Sequence, residues 1–192
     1  PPAPPPPPRH AVFRPRPLHA NCLPVALEVL GNAKAWRVVA ERLCASVHIP
    51  LVVDGPVGCG KTMGVRQLLA ALGYTSVVEV DATDGRSATE LVRLVSWYRD
   101  SKNHREQPMA LLLDDFEGFP PTAKPEIARL LRASSSTLEV PIVITCHHAR
   151  APEVAVLRDL PRVRLYAPPA RACVAWFKER FPMAWVQRHS AL

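Results

Sequence analysis

The stretch GPVGCGKT, Gly55–Thr62, decides how the rest of the chain is read. It satisfies G-x-x-x-x-G-K-[ST] at every fixed position. It also lies where that pattern has meaning, between a short apolar run (Ile49 to Asp54) and a segment of helical periodicity (Lys61 to Leu72). Gly55, Gly58 and Gly60 allow backbone turns closed to other residues, so successive amides can converge on phosphate oxygens. The positive end of the following helix adds to the same field. The pattern therefore predicts a nucleoside triphosphate cradle, taken as ATP with Mg²⁺, formed by Gly55, Pro56, Val57, Gly58, Cys59, Gly60, Lys61, Thr62 and Met63. Lys61 would reach the β- and γ-phosphates, and the Thr62 hydroxyl would hold Mg²⁺.

A second stretch, LLLDDFEG (Leu111–Gly118), sets an aliphatic run directly before two aspartates. A strand ending in a carboxylate beside such a loop supplies a metal ligand. Asp114 takes that role with Thr62. Asp115 is the candidate catalytic residue that polarises the attacking water, although it is one methylene shorter than a glutamate.

Outward from these two stretches, strands and helices alternate. Ser76 to Val80, Met109 to Leu113, Val140 to Thr145 and Val163 to Tyr166 read as further strands. Ser87 to Tyr98 and Pro125 to Ala133 read as helices, and Gly73 closes the helix that starts at Lys61. Val25 to Ala45 reads as one helix, or as two broken at Gly31, and Asp100 to Gln107 as a polar loop. Short, continuously apolar strands separated by helices predict an α/β fold, a three-layer P-loop domain with a five-stranded parallel sheet covered on both faces.

Composition bounds the rest. The 192 residues suit one domain with tails, and a hydrophobic fraction of 48% is ample for a core. No apolar run approaches the roughly 18 residues of a membrane span, and no charged-then-apolar leader opens the chain, so no membrane partner is expected. Five scattered cysteines with no CxxC pair predict reduced thiols rather than disulfides or a zinc site. Cys146, His147 and His148 adjoin but lack a second ligand pair at zinc spacing. The net charge of +7 and pI near 9.5 favour a polyanionic partner, and Lys102, His104 and Arg105 form a basic loop. The opening PPAPPPPPRH predicts a disordered proline-rich tail over residues 1–12.

Several segments together resemble the AAA+ clamp-loader ATPases, most closely the large subunit of replication factor C. VVEVDATDGRSATEL (Val77 to Leu91) is similar to that family's second strand and the asparagine-alanine-serine-aspartate-x-arginine segment after it, with Asp81, Ala82, Thr83, Asp84 and Arg86 in those places. LLLDDFEGF looks like the family's acidic strand end and turn, and VPIVITCHH (Val140 to His148) like its sensor 1 strand. FRPRPL (Phe13 to Leu18) is similar to the entry segment that helps enclose the adenine. The resemblance runs from Phe13 to Pro169 and implies an AAA+ ATPase core over residues 13–169, with sheet order 5-1-4-3-2. It implies a hetero-oligomer with other clamp-loader-like subunits, a sliding clamp, primer-template DNA, and a nuclear setting (cytoplasmic in a prokaryote or virus).

Departures from the family are informative. His147 stands where sensor 1 is commonly asparagine; it would sense the γ-phosphate, and a neutral imidazole keeps one donor for that work. The serine-arginine-cysteine finger of the small subunits is missing from LRDLPRVRLY, which leaves Arg158 and Arg162 as nearby substitutes and suits a large subunit. Residues 170–192 are too few for a helical lid and read as the start of one, or as a C-terminal helix. Two further readings stand beside clamp loading: a nucleotide-binding structural subunit with little hydrolysis, and another AAA+ remodelling ATPase.

Overall fold

The computed structural model describes residue 15 and residues 31–45, 48–102, 107–133, 138–148 and 151–180. The proline-rich opening, the Val25–Leu30 part of the first predicted helix, His104 and Arg105, and residues 181–192 lie outside the described residues.

Strands β1 (Leu51–Asp54), β2 (Ser76–Asp81), β3 (Met109–Asp114), β4 (Ile142–Cys146) and β5 (Arg162–Arg164) form one sheet in the order 2-3-4-1-5, every pair parallel. This is the predicted order. Helices α1 (Ala33–Leu43), α2 (Lys61–Leu72), α3 (Ala88–Asp100) and α4 (Ala123–Ala133) cover it, and α5 (Ala170–Arg180) follows β5. The sequence of each strand matches its place. β1 and β4 are buried at every position and β3 at four of its six, whereas the edge strand β5 buries only Val163. Alternation along β3 sends Leu111 and Leu113 to one face and Ala110 and Leu112 to the other. The first face packs on α3 and α4 through Leu91, Val95, Ile127 and Leu131; the second packs on α1 and α2 through Trp36, Val39, Val65 and Leu69.

Two strands start later than predicted, each because a proline lacks the N–H a ladder needs. Pro50 delays β1 to Leu51 and leaves Ile49 exposed, and Pro141 delays β4 to Ile142. The first described helix begins at Ala33, after Gly31 and Asn32 both take left-handed backbone (φ 86° and 63°). α3 starts at Ala88 because Ser87 and Glu90 form a reciprocal capping box.

Cys59, Cys146 and Cys173 are free thiols. Among the described residues no helix is long and apolar enough to cross a membrane, and no group of three His, Cys, Asp or Glu side chains could hold a metal.

One buried polar pair has a consequence for stability. His48 is 3% exposed, its Nε2 lies 3.2 Å from the Tyr74 hydroxyl, and burial lowers its pKa to about 4, partly offset by the Arg42 backbone. The unfolded chain therefore takes up a proton that the folded chain refuses as pH falls from 6.5 to about 4. A loss of about 3 kcal/mol is expected across that window, with none of it above pH 6.5. Urea unfolding at pH 7 and pH 4.5 checks this. His48→Gln should flatten the dependence, and an unchanged slope in that variant would rule out His48 as its source.

Candidate functional site

β4 lies between β1 and β3, so the loops after β1 and β3 leave the sheet on either side of its C-terminal end. Ligands of open α/β sheets bind at such edges. The cleft there, about 430 Å³, is lined by Val57, Gly58, Gly60, Lys61, Thr62 and Met63 from the loop and first turn of α2. Asp81, Asp114, Asp115, Thr145 and His147 line it from the ends of β2, β3 and β4. The structure thus gathers most of the predicted site residues around one cavity. Gly55, Pro56 and Cys59 complete the loop without lining the cleft. A Cβ at Gly55 would sit 2.7 Å from the carbonyl oxygen of Leu165, the residue after β5, so only glycine permits that close approach.

The electrostatics of the loop point to an anion. Lys61 is 7% exposed, and its ammonium donates to the Gly55 and Pro56 carbonyls at 2.8 and 3.1 Å and faces His147 Nδ1 at 3.3 Å. None of the three partners is a carboxylate, and among the described residues no carboxylate lies within ion-pair distance of it. A buried cation without a counter-charge is costly, and a bound phosphate supplies one. Gly58 and Gly60 take positive φ (75° and 88°), and the N-terminus of α2 opens onto the same space.

The metal side is equally well matched. The Thr62 hydroxyl donates to Asp114 Oδ1 and Oδ2 at 2.8 and 3.0 Å. Adjacent ligands of an octahedral Mg²⁺ lie roughly 2.9 Å apart, so this pair of oxygens fits the ion. The Thr145 hydroxyl donates to Asp114 Oδ1 and accepts the Asp115 N–H at 3.1 Å, fixing both aspartates from β4.

Asp115 is held in left-handed backbone (φ 50°, ψ 57°), a conformation that Asp tolerates better than Glu. The Lys61 ammonium can only donate, so in this contact His147 Nδ1 is the acceptor, and Nε2 faces Asp115. That nitrogen lies 3.3 Å from Asp115 Oδ1, which is buried and among the described residues accepts no hydrogen bond. Burial raises the Asp115 pKa from its ordinary value; His147 opposes the shift, and Glu117 reinforces it.

Two neighbours were not singled out from the sequence. Thr145 is 1% exposed and bridges the carboxylates; its one signal is a hydroxyl near the end of an aliphatic strand. Asp54 is buried at the end of β1 and lies 3.8 Å from Arg164 across the β1–β5 pair, tying the loop's base to the edge strand. The Cys59 thiol is raised by burial with Lys61 opposing, and Cys146 is pushed up to about 12, so neither is a ready thiolate. Arg162 donates to the Arg158 carbonyl at 3.1 Å along the sheet edge, away from this cleft's lining.

Residues 51–168, more than half of the chain, match the profile of the ATPase family associated with various cellular activities (AAA). No curated protein matches the chain. Among solved structures it is similar to katanin, from work on the structural basis of katanin self-assembly, with a TM-score of 0.57 and 18% identity. That likeness covers 79% of this chain and 56% of the other, so this chain spans little more than half of the solved chain it matches. At such identity the likeness is one of fold.

Proposed function

Since the chain belongs to the AAA ATPase family, we propose that it binds Mg·ATP in the cleft, hydrolyses it, and couples turnover to remodelling of a macromolecular partner. The observation that carries this reading is the buried Lys61 ammonium, which has no carboxylate partner among the described residues, lining one cavity with Thr62, Asp114 and Asp115. Lys61 and the loop amides would hold the phosphates, and Thr62 and Asp114 the Mg²⁺. Asp115 would take the proton of the attacking water, and His147 would read the terminal phosphate. A ring of like subunits is the form we propose for the active state. The fold's similarity to self-assembling katanin supports it, as do the exposed apolar side chains of Val57 and Met63 on the cleft rim.

A second reading is favoured by one segment. The turn Ala82–Asp84, which follows β2 and carries the clamp-loader-like residues, packs directly against Gly118 of the acidic turn. On this reading the chain works beside other clamp-loader-like subunits, loads a sliding clamp on primer-template DNA, and resides in the nucleus, or in the cytoplasm of a prokaryotic or viral system.

Steady-state ATPase measured alone, with sliding clamp, and with clamp plus primed DNA separates the two. The remodelling reading expects turnover indifferent to both additions. Clear stimulation by clamp and primed DNA together would replace it with clamp loading. ATP binding without turnover under every condition would leave a nucleotide-binding structural subunit.

A further inference from the structure

Glu117 is the best-anchored residue near the cleft that neither motif uses. It sits in the tight turn Phe116–Gly118 that follows β3. Its Oε1 accepts two backbone N–H groups, from His147 at 2.5 Å and from His148 at 3.1 Å. Its own carbonyl accepts the ammonium of the buried Lys124 at 2.6 Å. The turn has no room to drift on its other side, because a Cβ at Gly118 would stand 2.5 Å from the Cβ of Ala82. One carboxylate thus staples the residues just past β4 to the turn just past β3.

What the staple holds is the backbone that carries the His147 ring. That ring is partly exposed, and among the described residues its nitrogens lie 3.3 Å from Lys61 and 3.3 Å from Asp115. The residues immediately past a strand have no ladder partner for their N–H groups, and water can satisfy them in many geometries. A charge-assisted pair of bonds to one carboxylate leaves a single geometry.

The geometry points to Glu117 as a positioning residue: it fixes the His147 backbone so that the imidazole faces the place where the third phosphate of ATP meets Lys61 and Asp115. The inference rests on the ATP reading above and adds to it the device by which triphosphate is told from diphosphate. Glu117 touches neither nucleotide nor metal in this scheme and acts through His147.

The test is the affinity of the full chain, with Mg²⁺, for ADP and for a non-hydrolysable ATP analogue. The original chain is expected to prefer the triphosphate. Glu117→Ala should weaken the analogue by about 10-fold, the worth of one charge-assisted hydrogen bond, and leave ADP unchanged. Glu117→Gln, whose amide oxygen can accept the same two N–H groups, should keep the preference. Glu117→Asp, which withdraws the carboxylate by one methylene, should lose it, and it serves if the alanine variant does not fold. Adding His147→Ala to Glu117→Ala should cost nothing further, because both act through one ring. Equal weakening of both nucleotides, or a lowered Tm with the preference intact, would show a merely structural staple and overturn the proposal. So would an original chain that binds both nucleotides equally, which leaves the ATP reading standing. A chain that binds neither removes the ATP reading together with the inference.

Discussion

A Lys61→Ala variant is expected to lose ATP and ADP affinity by at least ~100-fold while its Tm stays close to that of the original chain. The binding loss follows from charge. The ammonium is the buried cation of the cleft, and each charge-assisted bond it gives a phosphate contributes about 1.5–3 kcal/mol. Two such bonds together account for roughly 3–6 kcal/mol, or two orders of magnitude and more in Kd. The small effect on Tm follows from what the lysine does without a phosphate. Its partners are two carbonyls and an imidazole, so burying the charge is not offset by an opposite one. Removing the ammonium relieves that burial while leaving the Gly55 and Pro56 carbonyls short of a donor, and the two effects have opposite sign. Titration with a fluorescent nucleotide and a thermal melt of the same sample check both halves. Affinity kept within about 10-fold would remove the phosphate cradle from the account, since one charged bond alone exceeds that. A large fall in Tm would mean that the lysine holds the loop rather than the ligand.

The features that were legible in the sequence are the local ones. GPVGCGKT is contiguous, and its glycines and lysine carry their function in a single turn, so the loop and α2 could be placed from it. The aliphatic runs of β1, β3 and β4 are continuous because helices cover both faces of those strands, which made a parallel sheet readable. The strand order came from the resemblance, and the described sheet agrees with it. What was not legible depends on contacts between segments far apart in the chain. Thr145 meets Asp114 and Asp115 across some thirty residues of sequence, and Glu117 meets His147 and His148 in the same way. A threonine in a strand and a glutamate in a turn have no spacing that announces these bonds. The sequence also misdirected the question about Asp115. Read alone, its short side chain looks like a defect of reach, whereas the backbone gives a positive reason for it. At φ 50° a Glu would add strain of about 1 kcal/mol that Asp largely escapes. A turn that needs left-handed backbone at that position favours the shorter acid.

That backbone conformation also makes Asp115→Asn the cleanest probe of hydrolysis. Asparagine shares aspartate's tolerance of left-handed backbone and its shape, so the turn and the bond from the residue 115 N–H to Thr145 should survive. The substitution removes only the negative charge and the ability to take a proton. Asp115 lines the cleft beside His147, where its carboxylate would activate a water next to the terminal phosphate. Positioned general bases contribute about 10²–10⁴-fold, so kcat should fall by at least ~100-fold. Nucleotide affinity should be kept, because Lys61, Thr62 and Asp114 are untouched. Asp115→Ala would be less informative: it places a non-glycine residue without a polar tip at positive φ and confounds strain with lost chemistry. The comparison that decides is single-turnover hydrolysis alongside nucleotide binding, in the original chain and in Asp115→Asn. If the original chain turns over and the variant matches it, the proton goes to another group and the proposed role of Asp115 fails. If neither hydrolyses while both bind, the site works as a nucleotide-dependent clasp, and Asp115 and His147 serve recognition rather than reaction.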